Sequence, residues 1–134
     1  MITSLAIKNY ALIEDIRVDL NEGLTIITGE TGAGKSIILG ALALVLGKRA
    51  DLSSVKDPLK KCVIEGHFSI KNYDLQNIFQ ENDLDYEHNT IIRREILPGG
   101  KSRAFVNDTP VALTQLQALA PYLVDVHSQH ETLE

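Results

Sequence analysis

The sequence predicts an α/β fold: a mixed sheet, a buried helix behind a phosphate-type loop, and an antiparallel region containing a β-hairpin. Three observations carry that expectation. A β-branched run at residues 24–28 precedes a glycine-rich loop at 29–36 and an apolar helical stretch, the strand–loop–helix order in which such a loop holds phosphate. Residues 63–70 alternate apolar and polar, and 90–97 and 102–106 flank the turn signal Pro98-Gly99-Gly100. At 134 residues, 44% hydrophobic and 23% charged, the chain has room for one soluble domain over residues 1–134.

Taken in order, residues 5–7 and 13–18 read as strands around the polar break Lys8-Asn9-Tyr10. In the second, Ile16, Val18 and Leu20 face one way and Asp15, Arg17 and Asp19 the other. Asn21-Glu22-Gly23 turns the chain into the run at 24–28. After Lys35 the sequence is apolar almost all round and closes at Gly47, which predicts a buried helix with a glycine stop. Residues 50–61 are polar, contain Pro58 and read as a loop; 73–81 predict a short amphipathic helix. Pro110 is expected to precede a helix through Leu113, Leu116 and Leu119 that Pro121 terminates. A short strand at 123–126 then leads into His127-Ser128-Gln129-His130-Glu131, read as a functional loop.

Composition excludes several function classes. With 18 acidic and 13 basic side chains the net charge is -5, so the overall basic footprint of a stand-alone nucleic-acid binder is missing and any DNA contact must be local. One cysteine, Cys62, allows neither an internal disulfide nor a cysteine-cluster zinc site, and reads as a reduced strand residue. His127 and His130 lack a third metal ligand nearby. The longest apolar run falls short of the about 20 residues that span a bilayer, and the Met-Ile-Thr-Ser start carries no basic leader. No membrane association and a cytoplasmic location are therefore expected.

The loop Gly29, Glu30, Thr31, Gly32, Ala33, Gly34, Lys35, Ser36 fits G-x-x-x-x-G-K-[ST]. Its glycines permit backbone angles closed to other residues, so successive amides can turn inward onto phosphate oxygens at the positive end of a helix. The Lys35 ammonium suits the β- and γ-phosphates and the Ser36 hydroxyl suits Mg²⁺. A plain glycine turn needs neither residue. Kinases, GTPases, helicases and ABC-type ATPases all use this loop, but the Asn-Lys-x-Asp element of a guanine reader is absent.

Three stretches make the chain resemble the SMC group of ABC-type ATPase heads, and within it bacterial DNA-repair members. They are Leu-Ala-Ile-Lys-Asn-Tyr-Ala-Leu-Ile-Glu at 5–14, the loop at 29–36, and Val-Asp-Val-His-Ser-Gln-His-Glu at 124–131. Gly-Lys-Ser-Arg-Ala-Phe-Val-Asn at 100–107 resembles the hairpin such heads carry between them. Glu30 and Thr31, where many SMC proteins have Pro-Asn, and the His-Ser-Gln-His-Glu ending favour the repair members. The resemblance implies the N-terminal lobe of such a head, ATP and Mg²⁺ as ligands, and Gln129 as the glutamine that ligates Mg²⁺ and helps place the attacking water. It also makes Arg103 a candidate to approach the nucleotide phosphates, and Arg93, Arg94 and Lys101 candidates for DNA contact.

No Leu-Ser-Gly-Gly signature occurs, and Asp125, the only Walker B-like aspartate, is followed by Val126-His127 where a glutamate is wanted. In the resembling proteins these parts lie in a C-terminal half beyond a long coiled coil. The chain is therefore expected to bind ATP·Mg²⁺ but to hydrolyse it slowly or not at all alone. The partners implied are the C-terminal half of its own head, a second head in a homodimer, and DNA through the full-length assembly, in the cytoplasm or at the nucleoid. Two alternatives stay open: a small P-loop kinase with the hairpin from Pro98 to Arg103 as its lid, and a nucleotide-dependent interaction module without catalysis.

Overall fold

The computed structural model describes the backbone of residues 2–20 and 32–132 and, within them, the side chains of 2–20 and 34–123. Two strands open the chain, β1 (Ile2–Tyr10) and β2 (Ile13–Asp19), followed by helix α1 (Gly32–Val45) and a 3-10 turn at Leu52–Ser54. Then come β3 (Cys62–Ser69), the short helix α2 (Gln76–Glu81), β4 (Asn89–Ile96), β5 (Ser102–Val106), β6 (Thr109–Val111) and α3 (Leu113–Thr132). The expected strand at 24–28 lies outside the described residues.

Among the described residues the strands form a six-stranded sheet in the order β2-β1-β3-β4-β5-β6, and every pairing is antiparallel. Register explains its two faces. Ile16, Ile7, Ile64, Arg94, Ala104 and Val111 lie in one row across the sheet, and the adjoining row is Arg17, Ala6, Glu65, Arg93, Phe105 and Pro110. Side chains of neighbouring rows point to opposite faces. The first face is largely apolar, with Arg94 and Thr90 buried on it, and carries the helices: Ile38, Ala41, Leu44 and Val45 of α1 and Phe79 of α2 share one core with Leu5, Ile7, Ile64 and Ile92. The second face is charged and open, as an antiparallel sheet allows.

On that open face Glu95 is only 6% exposed, yet its carboxylate lies 3.1 Å from Arg93 Nε, 3.0 Å from Arg103 Nη2 and 3.8 Å from Lys61 Nζ. The Arg93 guanidinium also stacks 4.2 Å above the Phe105 ring.

Several expectations need correction. The α1 helix is buried on one side only; Leu39, on the other, is 41% exposed. Pro110 precedes a helix starting at Leu113 as expected, but it lies within β6, a strand the sequence reading lacks, entered through Asn107 and Asp108 at φ 51° and 69°. Pro121 does not terminate the last helix, and residues 123–126 are helical, not a strand. An interior proline removes one helical hydrogen bond, at a cost of about 3 kcal/mol. Burying Leu116, Leu119 and Leu123 along one stripe of α3 offsets it.

Two local devices fix the β1–β2 end of the sheet and the end of α1. Asn9, at φ 58°, is 7% exposed; its Nδ2 donates to the carbonyls of Asp57 at 3.0 Å and Lys60 at 3.1 Å, and its Oδ1 accepts from the Asp57 amide at 2.8 Å. The sequence showed Asn9 only as part of a polar break. Gly47 ends α1 as expected, at φ 105°, where an added Cβ would lie 2.8 Å from Gln117 Cγ and 3.3 Å from Gln117 Cα. Gly47→Ala is therefore expected to destabilise the fold by about 1–2 kcal/mol, read as a lower urea midpoint.

Cys62 is buried at the start of β3, and burial pushes its thiol up to about 11. Because this is above the value in an unfolded chain, the protonated thiol's contribution to stability is complete below the unfolded pKa, near 8.5. That contribution is expected to disappear as pH rises toward 11. Alkylation at pH 8 is expected to be slow in the native chain and to accelerate sharply in urea.

Candidate nucleotide-binding site

Gly29, Glu30 and Thr31 lie outside the described residues, and α1 begins at Gly32. Ala33 lies in its first turn, Gly34 is half-buried, and Lys35 and Ser36 follow as exposed neighbours. A helix start leaves amides that no preceding turn can bond, and its dipole favours an anion there. Among the described residues no carboxylate pairs with Lys35. An exposed cation and an exposed hydroxyl on adjacent residues at the positive end of a helix fit a phosphate chain with Mg²⁺.

The rest of α1 is anchored so that this end is presented. Gly40 lets the Tyr10 hydroxyl come against the helix: an added Cβ there would sit 2.5 Å from it. At the other end, Arg94 reaches from β4 and its Nη1 donates to the carbonyls of Leu44 at 2.6 Å and Lys48 at 2.8 Å. Gln117 Nε2 of α3 donates to the Gly47 carbonyl at 2.9 Å. A guanidinium on the last carbonyls of a helix complements its negative end. At 2% exposure, Arg94 is removed from the DNA-contact candidates by burial. Its alternation with Ile92 and Ile96 was the signal in the sequence that it faces inward.

Arg103 lies on the open face, in the row of Lys8, Val63 and Glu95, opposite the face that carries α1. Its guanidinium lies 3.0 Å from the Glu95 carboxylate. Arg93 is on the same open face, its cation engaged by Glu65, Glu95 and Asp108. Lys101 remains exposed beside the β4–β5 turn. The segment with Gln129, Asp125, His127 and His130 belongs to α3, so Asp125 does not end a strand as a Walker B aspartate would. Their side chains are outside the described ones. Among the described residues no group of three or more His, Cys, Asp or Glu could hold a metal ion.

At the end of the sheet formed by the β1–β2 turn, Lys8, Lys56, Lys60 and Lys61 share a cavity of about 420 Å³ with Glu14, Asp15 and Asp57. Lys101 and Arg103, at the start of β5, continue this basic edge, and Glu95 bridges Lys61 to Arg103. Thus a chain of net charge -5 still gathers several of its cations at one end.

Comparison with known proteins supplies the relatives. A family model described as an AAA domain matches residues 4–127. The DNA repair protein RecN of Vibrio cholerae is 41% identical over 131 residues, which are 97% of this chain and 24% of that protein. RecN of Bacillus subtilis is 38% identical over 133 residues, 98% of this chain and 23% of the relative. The chain thus spans about a quarter of the length of the curated relatives it matches. Among solved structures, an SMC ATPase studied for ATP-driven dimerization and DNA-stimulated activation aligns with a TM-score of 0.65 at 21% identity, covering 87% of this chain and 75% of that one. An Smc head domain with an extended coiled coil, derived from Pyrococcus furiosus and bound to the C-terminal domain of ScpA, gives 0.64 at 18% identity, covering 87% and 31%. At these identities the structural likeness establishes the fold.

Proposed function

Because this chain belongs to the AAA domain family, we propose that it is the ATP·Mg²⁺-binding N-terminal part of an SMC-like, RecN-type ATPase head that serves double-strand break repair and recombination. One observation carries the reading: exposed Lys35 and Ser36 stand side by side on the first turn of α1, at the end of a G-x-x-x-x-G-K-[ST] loop.

Amides of residues 29–35 would cradle the phosphate chain, the Lys35 ammonium would donate to its terminal oxygens, and the Ser36 hydroxyl would ligate Mg²⁺. Bound Mg²⁺ supplies charge neutralisation at the phosphates. Water activation is the missing function in the isolated chain. A carboxylate next to a Walker B aspartate and a signature motif from a second head are both lacking, so binding without efficient turnover follows. In the longer protein the C-terminal half of the same head and a second, identical head complete the site, with Gln129 ligating Mg²⁺. DNA is contacted through the assembly, for which the basic edge of Lys8, Lys56, Lys60, Lys61 and Lys101 is the local surface in this chain. A location in the cytoplasm, at the nucleoid, accords with this role. No described helix is long and apolar enough to cross a membrane.

The kinase alternative has little to stand on. The segment from Pro98 to Arg103 is the tight turn of a sheet hairpin, closed by the Gly100 amide on the Leu97 carbonyl at 2.9 Å, and is not a lid.

Calorimetry with Mg²⁺ and ATP is expected to give one site per chain. Turnover should be at least about 100-fold below that of an intact head of the same family, because a transition-state donor set is incomplete. A chain that is folded by circular dichroism yet takes up no nucleotide would overturn the reading, as would turnover at the rate of an intact head.

A further inference from the structure

β2 is an edge of the sheet: it pairs with β1, and among the described residues no strand lies on its other side. We propose that two copies of this chain join edge to edge through β2, antiparallel and about a two-fold axis at Ile16. This contact uses neither the loop at 29–36 nor a nucleotide, and so differs from the pairing of heads in the nucleotide reading.

Hydrogen bonding decides which residues can join. The Leu20 amide donates to the Thr3 carbonyl at 2.8 Å, and the two strands keep one register from Ser4 opposite Asp19 to Lys8 opposite Asp15. Backbone groups alternate sides along a strand, so those of Ile16, Val18 and Leu20 turn toward β1 and those of Asp15, Arg17 and Asp19 turn outward. An outward residue must meet an outward residue of the second copy.

Charge then selects the register. An axis at Arg17 would set two arginines face to face and Asp15 against Asp19, and an axis at Asp15 would set two aspartates face to face; like charges directly opposite are destabilising. An axis at Ile16 sets Asp15 of each copy against Arg17 of the other, with Ile13 against Asp19 and Glu14 against Val18. No like charges then oppose each other. Both charges are available, since Asp15 meets Lys8 at 4.0 Å between exposed side chains and Arg17 donates to Ser4 Oγ at 3.4 Å. On the helix-bearing face the two Ile16 side chains, each 41% exposed in the single chain, meet as a non-hydrogen-bonded pair, where strands bring side chains closest. Charges on an edge strand ordinarily guard against pairing, and here their order admits one register and refuses its neighbours.

Sedimentation of the full chain without nucleotide tests this. A monomer–dimer equilibrium is expected, and it should be unchanged in Lys35→Ala, so the outcome does not depend on the nucleotide reading. Asp15→Arg or Arg17→Asp alone should weaken the dimer by at least about tenfold, because each turns two attractive pairs into repulsive ones. An equimolar mixture of these two variants restores opposite charges at both pairs and should dimerise like the parent. Ile16→Cys should cross-link across the axis on mild oxidation, where the two positions lie within disulfide reach, and Val18→Cys should not. The proposal is overturned if the chain stays monomeric at about 1 mM, or if either single reversal leaves the dimer intact. It is equally overturned if the mixture stays monomeric while both variants are folded by circular dichroism, or if Val18→Cys cross-links as readily as Ile16→Cys.

Discussion

Lys35→Ala is expected to weaken Mg·ATP binding by at least about 100-fold, since a charge-assisted hydrogen bond contributes about 1.5–3 kcal/mol and this lysine can make more than one. Stability should change little. Lys35 is exposed and, among the described residues, pairs with no carboxylate, so the urea midpoint should stay within about 0.5 kcal/mol of the parent. The two measurements together separate loss of ligand from loss of fold. Undiminished nucleotide affinity in the variant would remove the loop from the site, whatever the family.

The largest stability effect is expected at a residue away from the loop. Arg94→Ala deletes both hydrogen bonds that hold the Leu44 and Lys48 carbonyls and leaves a hole in the apolar face of the sheet. Relief from burying the charge returns part of this. Burial already holds the guanidinium pKa below its ordinary value, a sign of that cost. A net loss of about 3 kcal/mol is expected, a fall in Tm of roughly 10 °C for a domain of this size. Arg94→Met, which keeps most of the volume, should recover the packing part only. A loss below about 1 kcal/mol for Arg94→Ala would show that the end of α1 is held by its apolar contacts alone.

The relatives place these residues in a larger frame. Their length is about four times that of this chain, and the side of α1 around Leu39 is an exposed apolar surface. An all-apolar helix with one bare side is the pattern of an element meant to be covered twice.

Local chemistry made much of this protein legible before any coordinates. Strict alternation at Ile16, Val18 and Leu20, and again at 63–70, assigned faces because side chains in a strand can point only two ways. Gly47 and Pro98-Gly99-Gly100 marked a helix end and a turn because glycine reaches positive φ without strain. Lys35 and Ser36 were singled out by the G-x-x-x-x-G-K-[ST] spacing, and both stand exposed near the start of α1. What the sequence could not decide were matters of long-range packing. Pro121 reads as a stop, yet buried leucines on both sides of it, Leu119 and Leu123, carry α3 through. Alternation with Ile92 and Ile96 points Arg94 inward, but only the tertiary fold sets the carbonyls of a helix end before it and acidic partners around Arg93. Asn9 became a clamp because residues about fifty positions away fold back against it. Burial and hydrogen bonding between distant segments, terms absent from any local window, made those choices.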